Sequence, residues 1–257
     1  MKVTILGCGA SWGVPAIGPD WGRCDPADRR NRRRRASLLV ESRGRVLLID
    51  SAPDLREQLL DAGAGRIDAV LLTHAHADHL HGIDDLRIVN QLIGNPLPFY
   101  GAADALAEAE QRFGYAMQPA MPGKPLYRPA LVPIPVDGPF IAAALPVVPF
   151  AQDHGRVVSL GFRIGPLGYS TDATELDDAA FAALAGIELW IVDCLRREPH
   201  PTHSHLAKTL GWIERVRPRR AVLTHMDQSL DYRELCAELP GHVEPGYDGL
   251  TIELPEP

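Results

Sequence analysis

The chain has 257 residues, is 46% apolar and carries a formal charge of -7 from 26 Lys and Arg against 33 Asp and Glu. Such content fills a sizeable core and fits one domain over residues 1–257, while the acidic balance argues against holding nucleic acid through overall charge. Cys8, Cys24, Cys194 and Cys236 are scattered without a Cys-x-x-Cys pair, and neither a signal-like segment nor an apolar run of membrane-spanning length occurs. A cytoplasmic protein with reduced thiols is expected.

Residues 2–6 read as a first strand, followed by Gly7, Gly9 and Gly13 in a loop that ends at Val14-Pro15. With no Lys-Ser/Thr pair and no amphipathic helix after it, this is a tight loop rather than a phosphate-binding turn. Residues 29–35, Arg-Arg-Asn-Arg-Arg-Arg-Arg, are the one dense charge run. They are either a solvated surface loop or a patch that attracts phosphorylated substrates. Residues 36–41 and 45–50 are expected as hairpin strands, and 54–62 as a helix broken at Gly63.

The apolar run 69–72 reads as a buried strand and delivers His74, His76, Asp78 and His79 within six residues. His74 and His76 lie two apart and point the same way on an extended backbone, whereas a tighter turn at Asp78 and His79 aims a second pair at a neighbouring ion. A solvated polar turn is the plain alternative, but imidazole and carboxylate together suit Zn, Mn or Fe. His-x-His-x-Asp-His directly after an apolar strand resembles the signature of the metallo-β-lactamase superfamily. That resemblance implies an α/β fold, a four-layer αββα sandwich of two mixed β-sheets flanked by helices, with a dinuclear site at one edge.

The segment from Gly7 to Pro15, GCGASWGVP, resembles the opening of one branch of that superfamily, the cyclic-phosphate phosphodiesterases associated with phosphonate breakdown. In that branch a cysteine-rich stretch after the Val-Pro and a late His hold a structural zinc. Here the stretch has only Cys24 and the late position is Gln228, so no structural zinc is expected.

Residues 83–92 read as a helix, with His81, Asp84 and Asp85 in its exposed first turn and outside the site. A strand at 98–101 and a helix at 102–113, with Asp104 as capping candidate, follow. Prolines at 119, 122, 125, 129, 133 and 135 make 115–138 an extended, partly mobile lid or a rigid loop. Then come an extended run at 142–150 leading to His154, a hairpin over 159–164 and 167–171 ending in Asp172, a strand at 189–193, a helix at 206–216 and a strand at 219–224 ending in His225. Three strand ends each carry a ligand-type residue.

The resemblance assigns roles to these positions through the local contexts His154-Gly155, Ser170-Thr171-Asp172 and Leu223-Thr224-His225. One metal is implied at His74, His76 and His154 and the other at Asp78, His79 and His225, with Asp172 bridging them. His203, in Pro-His-Pro-Thr-His-Ser-His, matches the branch's non-ligand active-site His, expected to contact phosphate and protonate the leaving alkoxide. Asp78 is expected to serve catalysis as well as binding. His200 and His205 are left as surface or capping residues, and Asp193 and Asp153 as carboxylates that orient imidazoles. His at position 76 rather than Glu argues against the oxygen-reducing di-iron branch.

The expected protein is a dinuclear metal-dependent phosphodiesterase, holding two divalent ions (Zn or Mn, with Fe an option) and hydrolysing a small cyclic phosphate of ribosyl or nucleoside type. Alternatives are a tRNA 3′-processing endoribonuclease, for which no long inserted arm is visible, a thioester hydrolase of the glyoxalase type, and a non-catalytic module that holds an anionic ligand or nucleic acid. The expected partner is a small phosphorylated substrate, with nucleic acid and membrane not expected and homodimerisation open.

Overall fold

The computed structural model describes residues 1–119, 121–123 and 130–257. The first half supplies β1 (Lys2–Gly7), β2 (Ser37–Ser42), β3 (Arg45–Ile49), α1 (Leu55–Asp61), β4 (Ala69–Leu71), α2 (Ala77–Leu80), α3 (Leu86–Ile93), β5 (Leu97–Gly101), α4 (Ala103–Phe113) and β6 (Leu131–Pro135). The second half supplies β7 (Phe140–Ala142), β8 (Leu145–His154), β9 (Val157–Ile164), β10 (Leu167–Ser170), α5 (Asp178–Ala183), β11 (Leu189–Asp193), α6 (Leu206–Val216), β12 (Arg220–Thr224), α7 (Tyr232–Glu238), β13 (Val243–Pro245) and β14 (Thr251–Glu253).

Two seven-stranded sheets form, in the orders β14-β1-β2-β3-β4-β5-β6 and β13-β12-β11-β10-β9-β8-β7. Both are mixed: β1, β2 and β3 run antiparallel and β3 to β6 parallel, while β7 to β10 run antiparallel and β10 to β13 parallel. Strand alternation sorts side chains between two cores. Leu38, Val40, Leu47, Ile49 and Leu71 face the second sheet and join a core with Phe162, Tyr169 and Trp190. Their neighbours Leu39, Leu48 and Val70 point the other way, against Leu55 and Leu59 of α1 and Leu86 and Val89 of α3. A strand buried on both faces reads as a continuous apolar run, which is why 69–72 shows no alternation in sequence. The fold is the expected α/β arrangement of two sheets flanked by helices.

Several local expectations are corrected. The helix expected from residue 83 begins as a 3-10 turn at Ile83–Asp85, becomes α3 and stops at Gly94, which takes a left-handed φ of 74° that favours glycine. Asp104 lies inside the first turn of α4, whose N-cap is Ala102 with no side-chain capping bond. In the proposed lid, residues 131–135 are β6, paired in parallel with β5 from Leu97↔Leu131 to Gly101↔Pro135. β6 is an edge strand, so Pro133 and Pro135 need donate nothing outward. Residues 120 and 124–129 of that segment lie outside the described residues.

The arginine run is a solvated loop only at Arg29 and Arg32, which are exposed. Asp28 caps a 3-10 turn at Arg29–Asn31 and pairs with Arg30, Arg34 pairs with Asp248 and Asp61, and Arg35 pairs with Asp54. Arg33 is buried at 2% exposure, donating to the carbonyls of Asp227 at 3.0 Å and Leu230 at 2.6 Å. The run ties the loop before β2 to the loop after β12. Arg33→Met is therefore expected to cost about 2–4 kcal/mol in urea unfolding, since it strands two buried carbonyls. Arg32→Met, at an exposed position, should stay within about 0.5 kcal/mol; equal costs would show that Arg33 is not the tie.

Candidate metal centre

Ligand-type residues gather where strands run out at one edge of the two sheets. His74 and His76 follow β4, and α2 opens on His76 with Asp78 and His79 in its first turn. His154 is the last residue of β8, whereas the sequence placed it in a loop beyond the strand. Asp50, Asp172 and His225, each just beyond a strand end, take left-handed φ values of 63°, 55° and 57°. Such backbone is costly for side chains other than Gly and Asn/Asp, and it turns these residues across the rim.

The seven expected ligands come together as two groups that share Asp172: His74, His76, His154 and Asp172, and Asp78, His79, Asp172 and His225. Within each group the donor atoms lie within 4.8 Å of one another. The carboxylate of Asp172 divides between them. Its Oδ2 is 3.7 Å from His74 Nε2 and 3.5 Å from His154 Nε2, and its Oδ1 is 3.1 Å from His79 Nε2 and 3.4 Å from His225 Nε2. Asp78 Oδ2 stands 3.3 Å from both His79 Nε2 and His225 Nε2. His76 differs in presenting Nδ1, which is 3.2 Å from His154 Nε2.

Tautomers follow from what each imidazole does at its rear. Thr73 gives its hydroxyl proton to Asp50 at 2.8 Å, so its oxygen accepts from His74 Nδ1 at 3.0 Å. His79 Nδ1 donates to Asp50 Oδ2 at 2.7 Å, and His154 Nδ1 to the Thr202 carbonyl at 2.6 Å. With Nδ1 carrying the proton, each Nε2 turns a lone pair to the centre. His74 Nε2 and His79 Nε2 are buried there without a hydrogen-bond partner. Unpaired buried nitrogens of this kind are costly unless a cation meets them, and the donor set fits a divalent ion.

Charge differs between His74 and His79: burial opposes a charge on His79, but Asp172, Asp78 and Asp50 outweigh it and push that imidazole well above the ordinary range, so a cation there would displace its proton. Burial holds His74 well below the ordinary imidazole range, keeping its lone pair free. For Asp172 burial favours the neutral acid, but His225, His79 and His74 outweigh it and keep the carboxylate ionised. His203 lies beside the two groups, with Nδ1 3.4 Å from Asp193 Oδ2 and Nε2 3.8 Å from Asp172 Oδ2. Burial opposes its charge, yet Asp193 and Asp172 push it up to about 9.

Asp193 faces two imidazoles, His203 and, at 4.0 Å, His225 Nδ1. Asp153 does not orient one: it is exposed and accepts from the Gly155 N–H in its own turn. Asp50, which sequence reasoning assigned only to a hairpin, holds His79 and Thr73 instead. Its signal was an Asp at a strand end, the same one that marks Asp172 and Asp193. His200 is not merely on the surface; it lines the cavity, its ring 5.3 Å from that of His203. His205 occupies the N-cap position of α6 without a side-chain capping bond. His81 packs on Phe113, and Asp84 pairs with Arg87 and Tyr115, away from the centre. The Cys24 thiol, which burial pushes up to about 11, donates to the Leu230 carbonyl. Gln228 accepts from the Trp12 indole at 2.8 Å and donates to Asp20 at 3.2 Å.

A cavity of about 610 Å³ opens over His76, Asp78, Asp172 and His203. A comparable groove of about 560 Å³ lies at the β13 and β14 edges, and among the described residues no donor cluster faces it. No helix among them is long and apolar enough to cross a membrane.

The chain is 35% identical to an octanoyltransferase of Porphyromonas gingivalis over 260 residues, covering 100% of this chain and 52% of that protein. It is 28% identical to a ribonuclease Z of Salinibacter ruber over 177 residues, covering 64% of this chain and 48% of that protein. It thus spans about half the length of these curated relatives. A crystal structure of a diphosphatase from the PhnP family superposes with a TM-score of 0.90 at 31% identity, covering 99% of this chain and 98% of that one. A family model described as a β-lactamase superfamily domain matches residues 45–226. That stretch runs from the start of β3 past His225 and carries all seven donors, and the chain belongs to the β-lactamase superfamily.

Proposed function

We propose that the chain is a dinuclear metal-dependent phosphodiesterase acting on a small phosphorylated substrate, foremost a nucleoside or ribosyl cyclic phosphate. The observation that carries this reading is the Asp172 carboxylate, one oxygen toward His74 and His154 and the other toward His79 and His225. A single ion uses one such face; two ions use both. His74, His76 and His154 would hold one cation, Asp78, His79 and His225 the other, and His/Asp donors accept Zn, Mn or Fe. The names of the diphosphatase and ribonuclease Z relatives, both denoting cleavage at phosphorus, support the reaction class.

When bound, the pair supplies Lewis acidity, bringing a water's pKa near neutrality and countering charge on a phosphoryl oxygen. The chain does the rest. Asp50, Thr73 and the Thr202 carbonyl hold the imidazoles in register, so no reorganisation is needed as charge develops. Asp78 sets Oδ2 toward His79 and His225, where it would help hold the second cation, and its other oxygen would be an acceptor for a water there. His203, backed by Asp193 at 3.4 Å, gives its proton to the leaving alkoxide.

The cavity is of small-molecule size, and four arginines of the 29–35 run, Arg30, Arg33, Arg34 and Arg35, are committed to internal partners. Both points favour a small phosphate over folded RNA. The pairing of β1 with β14, from Lys2↔Glu253 to Thr4↔Thr251, supports reading 1–257 as one hydrolase unit. The four unpaired cysteines support a cytoplasmic setting.

The test is a turnover screen with Mn- and Zn-loaded protein against bis(p-nitrophenyl) phosphate, nucleoside 2′,3′-cyclic phosphates and a glutathione thioester. Phosphodiester hydrolysis is expected with about two metals per chain by elemental analysis, both lost with activity on chelation. Full activity with one tightly held metal would refute the dinuclear model, and turnover of the thioester alone would replace the phosphodiesterase. A non-catalytic anion-binding module would instead keep its ligand after chelation and lose it steeply with salt.

A further inference from the structure

Asp172 stands on backbone that does not hold by itself. Its left-handed φ of 55° persists only where the surroundings over-determine it. Its carboxylate also turns on a broad, roughly two-fold torsion, so nothing intrinsic keeps one oxygen toward each donor group. Three buried side chains, none of them in either donor group, meet these two needs. Gln152 on β8 lies opposite Ser159 on β9. Its amide gives one hydrogen to Ser159 Oγ at 3.0 Å and the other to the Thr171 carbonyl at 2.9 Å, and Ser159 Oγ donates to the Asp172 carbonyl at 2.7 Å. The Thr171 hydroxyl donates to Asp172 Oδ1 at 2.7 Å.

What is left unsatisfied shows what the arrangement is kept for. Gln152 is buried, yet its Oε1 has no hydrogen-bond partner. An unpaired buried acceptor is unfavourable, and an apolar residue would fill that place in β8 without one. The amide is retained for its two donors, which is also why its nitrogen rather than its oxygen faces the Thr171 carbonyl. Gly161 leaves room for it, since a Cβ there would lie 2.7 Å from Gln152 Oε1. Beside Ser159, the Leu160 N–H donates to the Thr73 carbonyl at 2.9 Å, so the same strand fixes the turn that carries His74. We infer that Gln152, Ser159 and Thr171 are positioning residues of the metal centre: the first two lock the backbone of Asp172, and Thr171 locks the rotation of its carboxylate, so that its two oxygens face different cations. This rests on the dinuclear reading and deepens it, naming what makes Asp172 a bridge rather than a ligand to one ion.

Titration of the metal-free protein with Mn(II), followed by electron paramagnetic resonance, tests it. Wild type loaded with about two Mn(II) per chain is expected to give a spin-coupled spectrum with little of the sharp hyperfine signal of isolated Mn(II). Thr171→Val keeps the shape and removes the hydroxyl; it is expected to raise the Kd of the second ion about 10-fold and to show the isolated signal at the same loading. Thr171→Ser, which keeps the hydroxyl, should restore both. Gln152→Glu, which replaces donors by acceptors, should lose at least as much, and where its metal-free melting shows no folded protein the two Thr171 variants decide alone. Wild-type affinity and coupling in Thr171→Val, or no recovery in Thr171→Ser, would overturn the inference. A wild type that holds one Mn(II) would remove the dinuclear reading instead. A weaker hold on that ion in Thr171→Val would then keep the positioning role, and an unchanged Kd would end it too.

Discussion

Asp172→Asn is expected to purify with no more than about one metal per chain and to lose on the order of 10³-fold or more in phosphodiester turnover. Five imidazoles lie within 3.8 Å of the Asp172 carboxylate, those of His79, His225, His154, His74 and His203. No neighbouring carboxylate reaches both groups, because Asp78 faces only the His79 and His225 side. Asn is the informative replacement: it keeps the shape and tolerates the left-handed φ of 55°, so the loss isolates charge and bridging from backbone strain. Asp153→Asn, at an exposed carboxylate next to His154 in sequence, is the control and should change neither metal content nor turnover. Retention of two metals and full turnover by Asp172→Asn would remove the bridge from the site.

His203→Ala separates proton transfer from assembly. The imidazole belongs to neither donor group of the pair, so metal content should stay nearly intact. Turnover of an alkoxide-leaving cyclic phosphate should fall by roughly 10²- to 10⁴-fold, while a nitrophenyl ester, whose leaving group departs without a proton, should lose less. Equal losses would assign His203 to phosphate binding without acid catalysis; no loss would shift the role to His200, the other imidazole on the cavity wall. The pH dependence has a definite sign. The folded-state pKa is raised from 6.5 to about 9, so the imidazolium stabilises the metal-free fold fully below pH 6.5 and that contribution fades as pH rises through 9. Melting temperatures of metal-free wild type and His203→Ala should converge above that range. In the loaded enzyme the cations oppose the imidazolium, placing the alkaline limb of the alkoxide-ester profile below 9, and His203→Ala should lack that limb.

What the sequence determined by itself was local in origin. Alternation and continuous apolar runs mark β2, β3 and β4, because which face a side chain takes depends on its immediate neighbours. His74, His76, Asp78 and His79 were legible as a group since they follow one strand within six residues, and His154, Asp172 and His225 because each ends another. Tertiary structure decided everything that depends on distant partners. Asp50 meets His79 across 29 residues and the Thr202 carbonyl meets His154 across 48, contacts set by strand order rather than by spacing. The same cause misassigned Asp153, which resembles Asp193 in sequence but points into its own turn. Arg33 looks like any other charge in its run; only the approach of the 227–230 loop, nearly two hundred residues later, buries it and gives its guanidinium carbonyls to hold. Local patterns fix which way a side chain can face, and long-range packing fixes what it meets there.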